Sequence, residues 1–209
     1  MTPRRYRLGR RAEAAEETRR RLVQATFELH SEQGIANTSM VQIAERAGVS
    51  VGTVYHHFPT YADAVEACGR HIAASWPLPT AEIFAGIDAP AQRVRRLVTA
   101  CFEYFESMPW FEHIRAEPDP LPPVVAFVEH EQTNRLALVR EALKPLQPDP
   151  QQLHAAAALI DPAVGRALRR AQYSTAAAAD EVTAFIVARF GLSVRSRRRS
   201  NPNRKLECS

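Results

Sequence analysis

The chain has little lysine, glycine or cysteine, and it lacks any long apolar run. The three cysteines, Cys68, Cys101 and Cys208, are odd in number and far apart. That argues against a disulfide framework and against a CxxC metal or redox site, and it leads us to expect a reducing, cytoplasmic setting. The longest plainly apolar stretch, 155–160, is far short of the roughly 18–20 residues that cross a bilayer, so no membrane span is expected. The basic N-terminus is not followed by an apolar segment and does not read as a secretory signal. Eight glycines in 209 residues, with few alternating apolar and polar runs, leave little basis for a sheet.

Only two of the 27 basic residues are lysines, Lys144 and Lys205, and the formal net charge is +4. The distribution is more informative than the sum. Residues 1–21 carry eight Arg and three Glu, and residues 193–209 carry six bases and one acid. The intervening segments, 22–70 and 71–192, are each mildly acidic. Basic ends around an acidic body hint at a polyanionic partner, and the role of the C-terminal cluster is left open.

What is present is alanine, arginine, leucine and glutamate in lengths suited to helices, punctuated by 15 prolines. The expected fold is therefore all-α, with about nine or ten helices. The first runs from about Ala12 to Gln33, where Leu22, Thr26 and Leu29 recur at helical spacing and Gly34 ends the helix. Ser39 with Gln42 forms a capping-box pattern before a helix over 40–47. Gly48 makes a turn, Ser50 caps a helix over 51–58, and Thr60 with Asp63 caps one reaching about Ser75. Pro77 and Pro79 suggest a boundary near 76–80. Further helices are expected near 81–87, 90–108, 110–117, 124–144, 151–160, 162–172 and 175–190. The domains expected are a basic arm over 1–18, a helix-turn-helix domain over 19–76, a larger helical bundle over 77–192 and a disordered basic tail over 193–209.

Two short helices joined by a glycine turn place the second helix in a DNA major groove. Gly48 supplies the positive-φ turn. Val49 and Val54 tie the second helix to the core, leaving Ser50, Val51, Gly52, Thr53, Tyr55 and His57 near the DNA. Hydroxyls and free helix N-terminal amides hold phosphates without a cation, and Thr53 and Val51 suit base edges or thymine methyls.

The run Thr38-Ser-Met-Val-Gln-Ile-Ala-Glu-Arg-Ala-Gly-Val-Ser-Val-Gly-Thr-Val-Tyr-His-His-Phe-Pro-Thr60 resembles the TetR/AcrR family of transcriptional regulators. The likeness is dense over about residues 20–70 and loose beyond. It implies a homodimer, here through the helices near 151–190, with DNA-binding heads and a body that binds a small effector. It also implies DNA contacts at Thr53, Tyr55 and His57, a helix cap at Ser39, and positions facing DNA at Val41, Val51 and Tyr61. The last two stand where relatives often carry lysine. With residues 50–58 free of Lys and Arg, the attraction to phosphate is assigned to Arg4, Arg5, Arg7, Arg10 and Arg11, with Arg19, Arg20 and Arg21.

Competing chemistry is weak. Gly48-Val-Ser50-Val-Gly52 matches the hydrolase elbow pattern, but that motif needs a preceding strand. Adjacent His56 and His57 point in different directions and do not share a metal readily. No cofactor motif or metal set is found, and no enzymatic activity is expected. Phe102, Phe105, Trp110, Phe111, His113, Phe127 and His130 are candidates for an effector pocket. Leu153, Leu159, Val164, Leu168, Val182, Phe185, Ile186 and Val187 are candidates for the dimer contact. The expected function is a regulator, a repressor released from a near-palindromic operator by a small molecule. The alternatives are an activator, a regulator without a ligand, or, in another class, an all-helical carrier or enzyme.

Overall fold

The computed structural model describes residues 3–111, 114 and 119–191, with side chains described from Arg11 onward. Among the described residues there are nine α-helices, two short 3-10 turns and no strand. The head is built from α1 (Pro3–Gln33), α2 (Met40–Ala47), α3 (Val51–His57) and α4 (Tyr61–Ser75). A 3-10 turn over Ala81–Phe84 leads to the body: α5 (Pro90–Glu106), α6 (Pro122–Leu143), α7 (Pro150–Leu159), α8 (Pro162–Arg170) and α9 (Thr175–Arg189). Most of the helix expected over 110–117, and the tail from 193, lie outside the described residues.

The largest departure from the sequence reading is α1. It begins at Pro3 rather than near Ala12, so most of the basic arm is one continuous helix with the head. Arginine, alanine and glutamate favour helix, and proline at the first helical position costs nothing there. The other helices start as the local chemistry dictates. Ser39, Thr60 and Asp149 each form both bonds of a capping box, and Ser50, Asp161 and Ser174 each accept a backbone N–H.

Two apolar cores form. In the head, Leu22, Ile43, Val54 and Ala64 are fully buried, joined by Leu29, Ala44, Ala47 and Phe58. In the body, α5 and α9 make the most extensive helix pairing. Val94, Leu97, Val98, Cys101 and Phe102 of α5 recur at three and four and meet Ala178, Ala179, Val182, Ile186 and Val187 of α9. Leu138, Val139, Ala142 and Leu143 of α6 complete this core. Each large buried side chain contributes about 1.5–3 kcal/mol of transfer free energy. A buried ionic cluster pins the α7–α8 corner to α6. Arg135 donates to Glu131 at 2.9 Å and to Asp161 at 3.0 Å, while Asp161 caps α8 through the Ala163 N–H. Such a cluster fixes geometry more than it adds stability.

Head and body meet along α4 and α6 and through a third cluster, Ile35, Val65, Ile114 and Val124. Beside it lies an aromatic joint. Phe27 of α1 stacks on Trp76 at 5.4 Å, and Trp110 meets both rings edge-on at 5.3 and 5.9 Å. Tyr104 of α5 donates to the Trp76 carbonyl at 3.2 Å, tying α5 to the end of α4.

Candidate nucleic-acid interface and ligand cavity

The turn between α2 and α3 is set by two residues. Gly48 takes φ 66°, and its N–H bonds back to Glu45, while the Val49 N–H reaches Ala44 at 3.0 Å. A side chain at that φ is strained, and a Cβ would stand 3.3 Å from the Arg21 guanidinium. Arg21 in turn donates to the Ala47 carbonyl, closing the C-terminus of α2 from α1. Ser50 accepts the Thr53 N–H at 3.1 Å, and the two hydroxyls lie 2.8 Å apart. This is the geometry of a helix cap, and α2 rather than a strand precedes it.

Val54 is fully buried, so α3 is anchored by one face. The opposite face carries exposed Gly52 and Tyr55, the latter at 51%, with Thr53 half-buried between them. Val41 on α2 is also 50% exposed, an apolar side chain left in water beside that face. Ser39 is exposed but uses its hydroxyl and N–H on Gln42. His57 is half-buried, and burial, then His56 and Arg19, hold its pKa below the ordinary value. The surface is thus neutral near pH 7: hydroxyl, phenol, imidazole and backbone.

Three of the expected assignments change. Val51 is half-buried and packs on the head core, so it is a weaker candidate for base contact than Val41. Tyr61 turns its hydroxyl inward, donating to the Ile35 carbonyl at 2.7 Å and accepting from His30 Nε2 at 2.9 Å. That oxygen is engaged on the protein side and is not offered to a phosphate. His30 is buried, which pushes its pKa down to about 4, so the ring is neutral and can donate. Arg19, Arg20 and Arg21 are likewise in use: Arg19 lies over the Phe58 ring at 4.9 Å, Arg20 pairs with Glu17, and Arg21 caps α2. Arg46 at the end of α2 is held by Glu28 and Glu32 of α1.

The body contains a cavity of about 400 Å³ between α5, α8 and the start of α9. Phe102, Phe105 and Met108 form its apolar side, and Glu106, Arg166, Arg169, Arg170 and Thr175 its polar side. At Gly165 a Cβ would stand 3.0 Å from the Phe102 ring, so a larger residue would press on that ring. Of the expected pocket residues only Phe102 and Phe105 line this space. Phe111 is core, stacked on Phe105 at 5.5 Å and edge-on to Phe127. Trp110 belongs to the aromatic joint, His130 is exposed, and Phe127 lines a much smaller cleft with His30 and Cys68. His113 lies outside the described residues. The sequence reading missed the cavity's arginines, whose only signal is their spacing on α8. Met108 and Pro109 wall the cavity, and the next residue, Trp110, enters the joint with the head.

Other expectations resolve by burial. Cys68 and Cys101 are buried, and burial pushes both thiols up to about 12, so neither is a ready nucleophile. Leu153, Val182, Ile186 and Val187, expected at a subunit contact, are core; Phe185 alone of that set is strongly exposed, at 65%. Among the described residues no group of three or more His, Cys, Asp or Glu is placed to hold a metal, and no helix is long and apolar enough to cross a membrane.

Residues 22–68, α2, α3 and their flanking helices, match the family model of the bacterial regulatory proteins, tetR family. Residues 22–68 are therefore similar to the DNA-binding segment of that family. The HTH-type transcriptional regulator BetI of Burkholderia mallei is 35% identical over 86 residues, which are 41% of this chain and 44% of that protein. The chain thus spans less than half the length of that curated relative. At the level of fold, a transcriptional regulator from Rhodococcus aligns over 81% of this chain and 95% of its own, with a TM-score of 0.63 at 20% identity. The multidrug binding protein EbrR, solved with malachite green, aligns over 82% of this chain and 96% of its own, with a TM-score of 0.58 at 20% identity.

Proposed function

We propose that the protein is a DNA-binding transcriptional regulator, a repressor whose operator affinity falls when a small molecule occupies the α5–α8–α9 cavity. The observation that carries this reading is the helix-turn-helix itself. Its second helix is anchored through Val54 and presents Gly52, Thr53 and Tyr55 to solvent. An α-helix so presented fits a B-DNA major groove, where Thr53 and Tyr55 would meet base edges and phosphates. Ser39 and Ser50 would act through caps that aim helix N-termini at the backbone. With no free cation on α3, phosphate attraction falls to the N-terminal extension of α1.

The protein would act as a homodimer, in the cytoplasm, on a near-palindromic operator. The α9 face opposite the core supports this. Phe185 stands out among exposed Ala184 and Ala188, with Ala155 and Ala158 exposed on α7. A two-fold contact would bury that ring. The coupling route would run through residues 108–111, which wall the cavity at one end and pack into the head–body joint at the other. A ligand would need to prefer one joint geometry to shift operator affinity.

The test is a gel shift against the DNA upstream of the protein's own gene. Specific retention by the wild type, abolished in Thr53→Ala/Tyr55→Ala with an unchanged melting curve, supports the reading. Specific retention by the folded double variant overturns it.

A further inference from the structure

We propose that the α2–α3 unit reads its operator chiefly through thymine methyl groups, with Val41 as a specificity-determining residue beside Thr53 and Tyr55. This rests on the reading of the protein as a DNA-binding regulator and names the base feature that its surface recognises.

Hydrogen-bonding readers of bases are scarce between residues 40 and 57. That stretch holds one Arg, Arg46, one amide, Gln42, and one carboxylate, Glu45, with no Lys, Asn or Asp. Guanine is read by a forked Arg or by Lys, and adenine by a forked Asn or Gln. Arg46 is turned to α1, where it donates to Glu28 and to both carboxylate oxygens of Glu32. Gln42 is turned to the helix cap: its Oε1 accepts from the Ser39 N–H at 2.9 Å and from the Ser39 hydroxyl at 3.0 Å. It therefore does not present the donor and acceptor pair that adenine requires. The Ser50 and Thr53 hydroxyls lie against each other at 2.8 Å. His56 and His57 offer single bonds rather than a fork, and they stand in the last turn of α3, whereas the N-terminal part of a recognition helix meets the base edges.

What this surface exposes is carbon. Val41 and Tyr55 are two of the five large apolar side chains left exposed among the described residues. Val41 lies outside the buried face of α2, which is made by Met40, Ile43, Ala44 and Ala47. Thr53, its hydroxyl engaged by Ser50, has a methyl left to offer. The thymine C5-methyl is the base feature of the major groove that apolar carbon recognises, and packing it against Val41 removes both from water. Glu45, one turn further along α2, suits cytosine N4 instead. A half-site read there would be indifferent to thymine methyls, so the two modes give opposite results.

The experiment uses duplexes that the full-length protein selects from a random-sequence pool. Thymines of a selected half-site are replaced by deoxyuridine, singly and together, which removes the methyl and keeps the hydrogen-bonding edge. The expected loss is about fourfold for each methyl contacted, as burying one such group provides, and about tenfold or more for the fully substituted duplex. Val41→Ala, at a half-exposed position and checked by thermal melting, should bind the unmodified duplex less tightly. In that variant the penalty at one thymine should shrink to within about twofold while the others persist, the signature of a direct pairwise contact. Wild-type binding unchanged by full substitution overturns the proposal, and a folded Val41→Ala that keeps every penalty overturns the assignment to Val41. A selected sequence bound equally with and without its methyls sinks the methyl reading alone. Failure to select any sequence sinks the regulator reading and the proposal with it.

Discussion

Head and body are both helical, but they hold together in different ways. The head uses short helices of eight and seven residues at α2 and α3, too short to be stable alone. Their geometry is fixed by caps and by single long-range bonds: the Ser39 box, the Ser50 cap, Gly48 at positive φ, and Arg21 on the end of α2. The body uses longer helices whose faces are filled by alanine, valine and leucine, with fewer individually decisive interactions. The contrast teaches where sequence is constrained. A head held by single bonds at particular turns needs particular residues there, whereas a body held by filled helix faces needs volume and can vary its residues. The pattern of likeness follows this: the family match lies within residues 22–68, and structural neighbours align over most of the chain at about 20% identity.

The strongest way to break the comparison is to remove function from the head without touching its stability. Thr53→Ala/Tyr55→Ala should cost about 100-fold or more in operator affinity, at about 1–3 kcal/mol for each base pair no longer read. Its thermal stability should fall by no more than about 1 kcal/mol, since Tyr55 is exposed and Thr53, half-buried, gives up one hydroxyl contact with Ser50. Gel shift and calorimetry check the two halves.

Next in size is an acid weakness confined to the head. The pKa of His30 is pushed down to about 4 by burial. Its folded value lies below its ordinary 6.5, so the unfolded chain takes up the proton first as pH falls. The stability linked to this ring is complete above about pH 6.5 and drains away as pH falls through about 4. It amounts to something on the order of 3 kcal/mol. His30→Gln keeps a donor for Tyr61 but cannot titrate, so denaturant midpoints measured from pH 7 to pH 4 should fall less steeply than in the wild type. An equally steep fall would mean the acid weakness lies elsewhere.

Smaller again is Gly48→Ala. The positive φ should cost about 1–2 kcal/mol, with an added loss of operator affinity as Arg21 is displaced from α2. Smallest and most discriminating is a pair of caps, Ser39→Ala in the head and Asp149→Ala in the body. Each should cost about 1 kcal/mol of stability. Only the first should weaken DNA binding. If both did so equally, the distinction drawn between the two regions would fail.

The α1 extension supplies a separate check on charge. Deleting residues 2–11 removes five arginines. It should weaken operator binding and flatten its salt dependence, by about 0.9 in the log–log slope for each phosphate no longer neutralised. An unchanged slope would show that the extension does not meet the backbone.

How much was legible in the sequence follows from the range of the forces involved. The caps at Ser39, Ser50 and Thr60 were readable because donor and acceptor lie within three residues. So was the Gly48 turn, a demand of local backbone geometry. The inward turn of Tyr61 was not, because its partners His30 and Ile35 come from another helix and the loop after it. Arg21 failed the same way: its charge suggested phosphate, and only the packing of α1 against α2 shows that it is a cap. In the body, aromatic residues drew attention, yet burial sends Phe111 into the core and Trp110 into the joint. The arginines of α8 were passed over, because only the fold sets them beside Phe102 and Phe105 of α5. Of the apolar residues on the last helices, only the phase of α9 against α5 separates Phe185 from Ile186.

The aromatic joint has a practical consequence. Trp76 and Trp110 are the chain's only tryptophans, and both sit there, 5.9 Å apart. Ultraviolet emission from unlabelled protein is therefore a local signal, arising where the head meets the body. Any event that rotates one against the other will change that emission and the coupling between the two indoles. The protein carries its own spectroscopic gauge at the place where its two parts meet.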